Sequence, residues 1–154
     1  MITFEIILDT ITPGLTRLSE SLDDPTPLMA DLAHYMLNET KQNFAQQRGP
    51  DGNVWAPKSP VTIANYNRQG LSGREILVKE GTLKETPAVA WGPFFAEVFV
   101  APLPYAAMMQ FGGTKGQFPN LWGDIPARPY IGFAQEQEDT ILEIVTEWLA
   151  GIVE

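Results

Sequence analysis

The chain contains no cysteine, which excludes a disulfide framework and thiol chemistry together. A reducing compartment is the easier setting for such a composition, although the absence alone does not fix one. Histidine is nearly absent too: His34 is the only one. No apolar run approaches the roughly 20 residues of a membrane span. The opening MITFEIILDT has no basic leader and carries Glu5 and Asp9 in or beside its apolar run, so it does not read as a signal peptide. What is present is 44% hydrophobic and 19% charged residues, the balance of a soluble globular protein and not of a disordered one. At 154 residues, with no internal repeat, the chain reads as a single domain over 1–154 that can bury a core without staples.

Bases are scarce and unevenly placed. Residues 1–40 hold seven acids and one base, residues 41–84 three acids and seven bases, and residues 85–154 nine acids and two bases. The segments carry −6, +4 and −7, which make up the net charge of −9. An acidic excess disfavours tight, sequence-independent binding of nucleic acid, which usually needs a basic one. A basic middle between acidic ends also suits complementary patches on neighbouring copies, because opposite potentials favour encounter and set register.

Periodicity and punctuation give the elements. ITFEIILD mixes β-branched and aromatic residues and predicts a strand, with Ile2, Phe4 and Ile6 on one face. Thr12-Pro13 is a cap-plus-proline start for a short helix to about Leu22, and DDPTP breaks the chain after it. From Pro27 to about Gln46, Leu28, Leu32, Met36 and Phe44 fall near one stripe, which predicts a long amphipathic helix. RGPDGNVWAPKSP (48–60) has the composition of a structured loop, and Ser59-Pro60 restarts a short helix. A turn is expected at 82–85, then a hairpin of TPAVAWG and FFAEVFVA around Pro93. PYAAMMQF (104–111) is a short apolar helix or turn, and 112–124 a glycine-rich loop. From about Gln135, Ile141, Ile144, Val145, Trp148, Leu149 and Ile152 recur at helical spacing, with Trp148 at the centre of the stripe. The expected class is α+β: a small antiparallel sheet of three or four strands packed against two long amphipathic helices.

Catalytic chemistry is hard to assemble from these residues. Around His34, Leu37 is apolar, Asn38 is a poor ligand and Asp31 is the nearest carboxylate in register, too few for a dedicated zinc site. No GxSxG elbow occurs. GGTKG lacks the order of a phosphate-binding loop and its strand-to-helix setting. The acid pairs Asp23-Asp24 and Glu138-Asp139 sit near helix starts, where capping and the helix dipole account for them. No catalytic residue, cofactor site or metal site is assigned, and an enzyme is not expected.

Two features remain. Glu143 and Glu147 repel at i, i+4 in a polar stripe on the last helix with no lysine nearby, which suits either a solvated face or a surface that meets a basic partner. Trp55, Phe118 and Trp122 fall on loops, where they either fold back onto the core or anchor an interface. In IPARPY, proline fixes its own φ and restricts the residue before it, so Ile125 and Arg128 are held extended. Arg128 is thereby presented with little entropy left to lose and is expected to pair with a carboxylate, within the subunit or across to another.

NFAQQRGPDGNVWAPKSPVT (43–62), ILVKEGTLKET (76–86), PYAAMMQFGG (104–113) and IPARPYIGFAQEQED (125–139) stand in the order found in phage virion morphogenesis proteins. Over roughly residues 40–140 the chain resembles that family, the tail-completion and head–tail joining proteins of Mu-like and related tailed phages. The resemblance implies a non-enzymatic subunit of the neck between capsid and tail, acting as a ring for which six-fold symmetry is expected. The partners it implies are further copies of the chain and neighbouring neck, tail or portal-associated proteins, with DNA at most passing through the lumen and no membrane. The location implied is the virion, and the host cytoplasm during assembly. Interface candidates are Trp55, Phe118, Trp122, Arg128, Tyr130, Glu143 and Glu147. The competing class is an acidic binding module, such as a DNA-mimicking inhibitor, which the net charge suits and the basic middle does not.

Overall fold

A computed structural model describes residues 11–153, with side chains from 13 to 152. The strand expected at the N-terminus lies outside the described residues. The described chain runs through α1 (Ile11–Asp23), α2 (Thr26–Gln46), α3 (Pro60–Arg68), α4 (Thr82–Glu85), the strands β1 (Ala88–Gly92) and β2 (Phe95–Phe99), α5 (Ala106–Phe111) and α6 (Gln135–Val153). The class is α+β, with a two-stranded antiparallel sheet among the described residues.

Helix α2 is the spine. Prolines at 25 and 27 set its first turn, and Asp24 accepts hydrogen bonds from the Thr26 backbone and hydroxyl. It ends where Gln47 turns left-handed at φ 56° and its N–H caps carbonyls of the last turn. Its buried stripe is Leu28, Ala33, Met36, Thr40, Asn43 and Phe44, so two polar residues share the inner face. Thr40 satisfies its hydroxyl on the Met36 carbonyl one turn back.

The hairpin packs on α2. Its register pairs Ala88 with Phe99 and Gly92 with Phe95, leaving Pro93-Phe94 as the turn. Alternation along the strands sends Trp91 toward α2, where its ring lies 5.1 Å from that of His34. The opposite face carries Phe95 and Phe99, both exposed. The segment expected as a turn at 82–85 closes instead into the single-turn helix α4, because Gly81 at φ 95° lets the Glu85 N–H reach its carbonyl.

Helix α6 packs against α1 and, more lightly, α2. Its start is fixed by Gln137, whose Oε1 accepts the Ala134 N–H at 3.0 Å while Nε2 donates to Glu39 of α2 at 3.2 Å. Gln137 is also the one residue of α6 that is buried among those described. Trp148, placed by the periodicity at the centre of a buried stripe, is only half-buried. The main core lies elsewhere, around Phe44, Trp55, Leu83, Ala106 and Tyr130.

Candidate functional site

That core is where the four sequence blocks meet. Phe44 and Trp55 come from the first, Leu83 from the second, Ala106 from the third and Tyr130 from the fourth. Phe44 is the hub: its ring centroid lies 5.5 Å from Trp55 in an edge-on arrangement and 5.4 Å from Tyr130.

The 125–131 segment is threaded through this cluster by hydrogen bonds on both sides. Gly113 and Ile125 exchange a pair of backbone bonds, and the Arg128 N–H donates to the Met109 carbonyl at 2.8 Å. Gln110 then acts as a clamp. Its Oε1 accepts from the Tyr130 and Ile131 N–H groups, and its Nε2 donates to the Ile131 carbonyl at 2.7 Å. From α2, Asn43 donates to the Tyr130 carbonyl, and the Tyr130 hydroxyl donates to the Ala106 carbonyl. With two prolines removing donors, side-chain amides supply the pairing that a strand neighbour would otherwise give.

Arg128 is 8% exposed, and its partners are not the carboxylate expected for it. Nε donates to the Ala56 carbonyl at 2.7 Å and Nη2 to the Pro57 carbonyl at 2.9 Å. The reason is geometric. Pro57 cannot offer an N–H, the loop turns its carbonyls inward, and the planar guanidinium fork satisfies two of them at once. Burial lowers the Arg128 pKa from its ordinary value, but a guanidinium stays charged in any accessible pH range. Arg128 therefore fastens the loop at 55–57 to the extended segment inside one subunit.

Trp55 is 3% exposed, and its Nε1 donates to the Pro129 carbonyl at 2.7 Å, so of its two readings the structure shows the fold-back onto the core. Tyr130 is likewise buried. Of the seven interface candidates these three lie inside the subunit, while the other four lie on its surface. Phe118 and Trp122 are exposed on the 112–124 loop, which is pinned where Lys115 N–H donates to Asp124 at 2.7 Å. Glu143 and Glu147 are exposed on α6.

Several residues that shape these surfaces carried little sequence signal. Gln110 lies inside the third block but nothing about a glutamine marks a clamp. Gln47 is left-handed without being glycine, and its side chain spans the Phe44 carbonyl and the Ile76 N–H, the latter at 2.6 Å. The exposed aromatics of the hairpin, Phe94, Phe95 and Phe99, were legible in principle, since alternation in FFAEVFV sends Phe95 and Phe99 to one face.

Among the described residues no group of three or more metal-ligating side chains converges, and no helix is long and apolar enough to cross a membrane. Around α3 the surface is hollowed. A cavity of about 360 Å³ and one of about 310 Å³ share Pro57, Lys58, Tyr66 and Ile76. Lys58 donates from Nζ to the Arg74 carbonyl and sits 4.9 Å over the Tyr66 ring, and burial lowers its pKa.

Residues 7–150 match the sequence profile of the phage virion morphogenesis family. The chain is also 32% identical over 142 residues to a protein of Escherichia phage Mu described as "Putative capsid assembly protein G", a match covering 88% of this chain and 90% of that protein. No solved structure matches the chain significantly.

Proposed function

The chain belongs to the phage virion morphogenesis family, and on that premise we propose that it is a ring-forming structural subunit of the phage neck, needed for tail completion and head–tail joining. Its partners are then further copies of itself and adjoining neck, tail or portal-associated proteins, with DNA passing at most through the lumen. It works without catalysis, in the virion and in the host cytoplasm during assembly.

The observation that carries this reading is apolar surface left exposed among the described residues. Phe94 is 82% exposed, Phe111 77% and Trp122 64%, alongside Phe95, Phe99 and Leu142. A small subunit that folds around a compact core and still shows this many large apolar side chains is built to cover them with other protein. Their spread over the hairpin, the 112–124 loop and α6 favours several contacts, as a subunit between two neighbours and an adjoining layer requires. Family membership favours this reading over an acidic DNA mimic.

Deleting the gene from the phage and examining the lysate by electron microscopy tests the role. Separate full heads and tails are expected, with joining restored by the protein supplied in trans. Normal joined virions without the protein sink the proposal. Native mass spectrometry of the protein, alone and with its adjoining neck component, tests the ring by its mass.

A further inference from the structure

Helix α6 carries more apolar surface than the other described residues cover. At about 100° per residue, its apolar arc runs from Ile144 through Trp148, Ile141, Ile152 and Val145 to Leu149 and Leu142. The first five are half-buried, whereas Leu149 and Leu142 at the far edge are exposed, Leu142 at 64%. These two leucines are seven residues apart, so they stand about 10.5 Å apart along the axis on one side of the helix. Around them the helix has only negative charge: Glu136, Glu138, Asp139, Glu143 and Glu147, with no base from residue 129 onward.

The hollowed surface at α3 has the opposite character. No residue of α3 is buried, and Val61 and Ile63 are exposed on it. Its two cavities join side by side at Tyr66 and Ile76, giving apolar hollows on a common floor. Lys58 lines both and Arg74 one of them, and Arg68 ends the helix between. The ion pairs among the described residues are Lys79–Glu80 and Lys84–Glu75, so none of these three bases has a carboxylate partner there. Asp124 is the one acid on the floor, and it already accepts the Lys115 N–H.

We propose that α6 of one copy docks in the hollows around α3 of the next, with Leu142 and Leu149 as the two apolar knobs and the exposed acids on the flank beside Leu142, Asp139 and Glu143, facing the Lys58, Arg68 and Arg74 side chains. This deepens the ring reading and rests on it. The contact is head-to-tail: each copy offers α6 to one neighbour and α3 to the other, and such a contact closes into a ring when the rotation between copies divides a circle. Apolar insertion supplies the affinity, since exposed ion pairs contribute only about 0–1 kcal/mol each. The charges set which way α6 lies.

The cysteine-free chain makes the test clean. Thr146→Cys places a thiol on α6 between the two leucines, and Asn67→Cys places one at the rim of the α3 hollow, both at exposed positions. The two full-length variants are mixed at the concentration where assembly occurs and treated with a short bismaleimide. The heterodimer band is expected to exceed either homodimer band several-fold. Asp139→Lys with Glu143→Lys on the Thr146→Cys protein should return it to background, and Arg68→Glu with Arg74→Glu on the other protein should restore it. Rescue by charge exchange cannot come from a merely structural effect of either pair. Three outcomes overturn the proposal: a Thr146–Thr146 product as the dominant species, equal yield with Asn38→Cys on α2, or cross-linking of Asn67→Cys to a different virion protein. Assembled rings that form without the Thr146–Asn67 product overturn this contact and leave the ring intact, whereas absence of any assembly overturns the ring as well.

Discussion

The indole Nε1–H of Trp55 donates to the carbonyl of Pro129 at 2.7 Å, joining residues 74 positions apart. One step along on each side, Arg128 reaches back to the Ala56 carbonyl. A proline-glycine loop and a proline-stiffened extended segment are thereby sewn together by two reciprocal side-chain bonds. Both side chains are buried, so these bonds hold the scaffold from which the exposed loop and helix surfaces project.

Arg128→Ala should destabilise the protein by about 2–4 kcal/mol, because bonds from a charged donor contribute about 1.5–3 kcal/mol each and two buried carbonyls lose their partner. Arg128→Lys should recover less than half, since an ammonium cannot reproduce the two-pronged fork. Urea denaturation measures both. Midpoints equal to wild type would mean that the loop is held by other contacts.

Gly112 sits at φ 69°, and a Cβ there would lie 2.6 Å from the Ala127 nitrogen and 2.7 Å from the Ile125 carbonyl oxygen. Both neighbours are backbone and cannot swing aside. Gly112→Ala is expected to cost about 2–4 kcal/mol, combining left-handed strain with displacement of the extended segment. Gly116→Ala is the control, where the nearest atom is 3.8 Å away. Thermal melts of the pair should separate clearly; equal melts would remove the steric argument.

Ser59 caps α3 by accepting the Thr62 N–H at 3.1 Å. Ser59→Ala should weaken that helix by about 1 kcal/mol. Because α3 buries none of its residues, the loss should show as faster hydrogen exchange over 60–68 and barely move the global melt. A large drop in global stability would show α3 to be part of the cooperative core.

Trp148→Ala should cost about 2 kcal/mol, below the roughly 3–5 kcal/mol of a fully buried tryptophan, since its side chain is only half-buried. Leu142→Ser, at an exposed position, should change subunit stability by no more than about 0.5 kcal/mol. Chemical denaturation of the dissociated subunit distinguishes them, and a larger loss for Leu142 than for Trp148 would reverse the assignment of the buried and free sides.

The Asp51 carboxyl is held below its ordinary value, chiefly by the Asn53 side-chain amide and then by the Asn53 backbone N–H. A folded value under the unfolded one means that its contribution to the turn is complete above the usual aspartate range. The contribution is lost as pH falls through the folded value. Carbon-detected NMR titration should place Asp51 lower than in a GPDGN peptide, with Asn53→Ala raising it; identical midpoints would show that the turn does not hold the carboxylate.

What the sequence by itself determined was the part written in local terms. The 3.6-residue recurrence in α6, Ser59-Pro60 before α3, Pro93 between two alternating runs and the glycines of 112–124 each act within a few residues, so periodicity and backbone restriction suffice to place them. The order of the four blocks was equally open to reading. Where the polar side chains would end was not. That Arg128 meets carbonyls at 56 and 57, that Gln110 clamps 130 and 131, and that Trp55 turns inward are choices among partners 20 to 74 residues away. Only the tertiary structure decides them, because a buried polar side chain pairs with whichever group the packed chain brings within reach, and that group is main chain, whose identity no side-chain pattern records. The same holds for α6: spacing shows that one face is apolar, but how much of that face the subunit covers depends on the width of the helices it packs against, and α1 and α2 leave Leu142 and Leu149 outside.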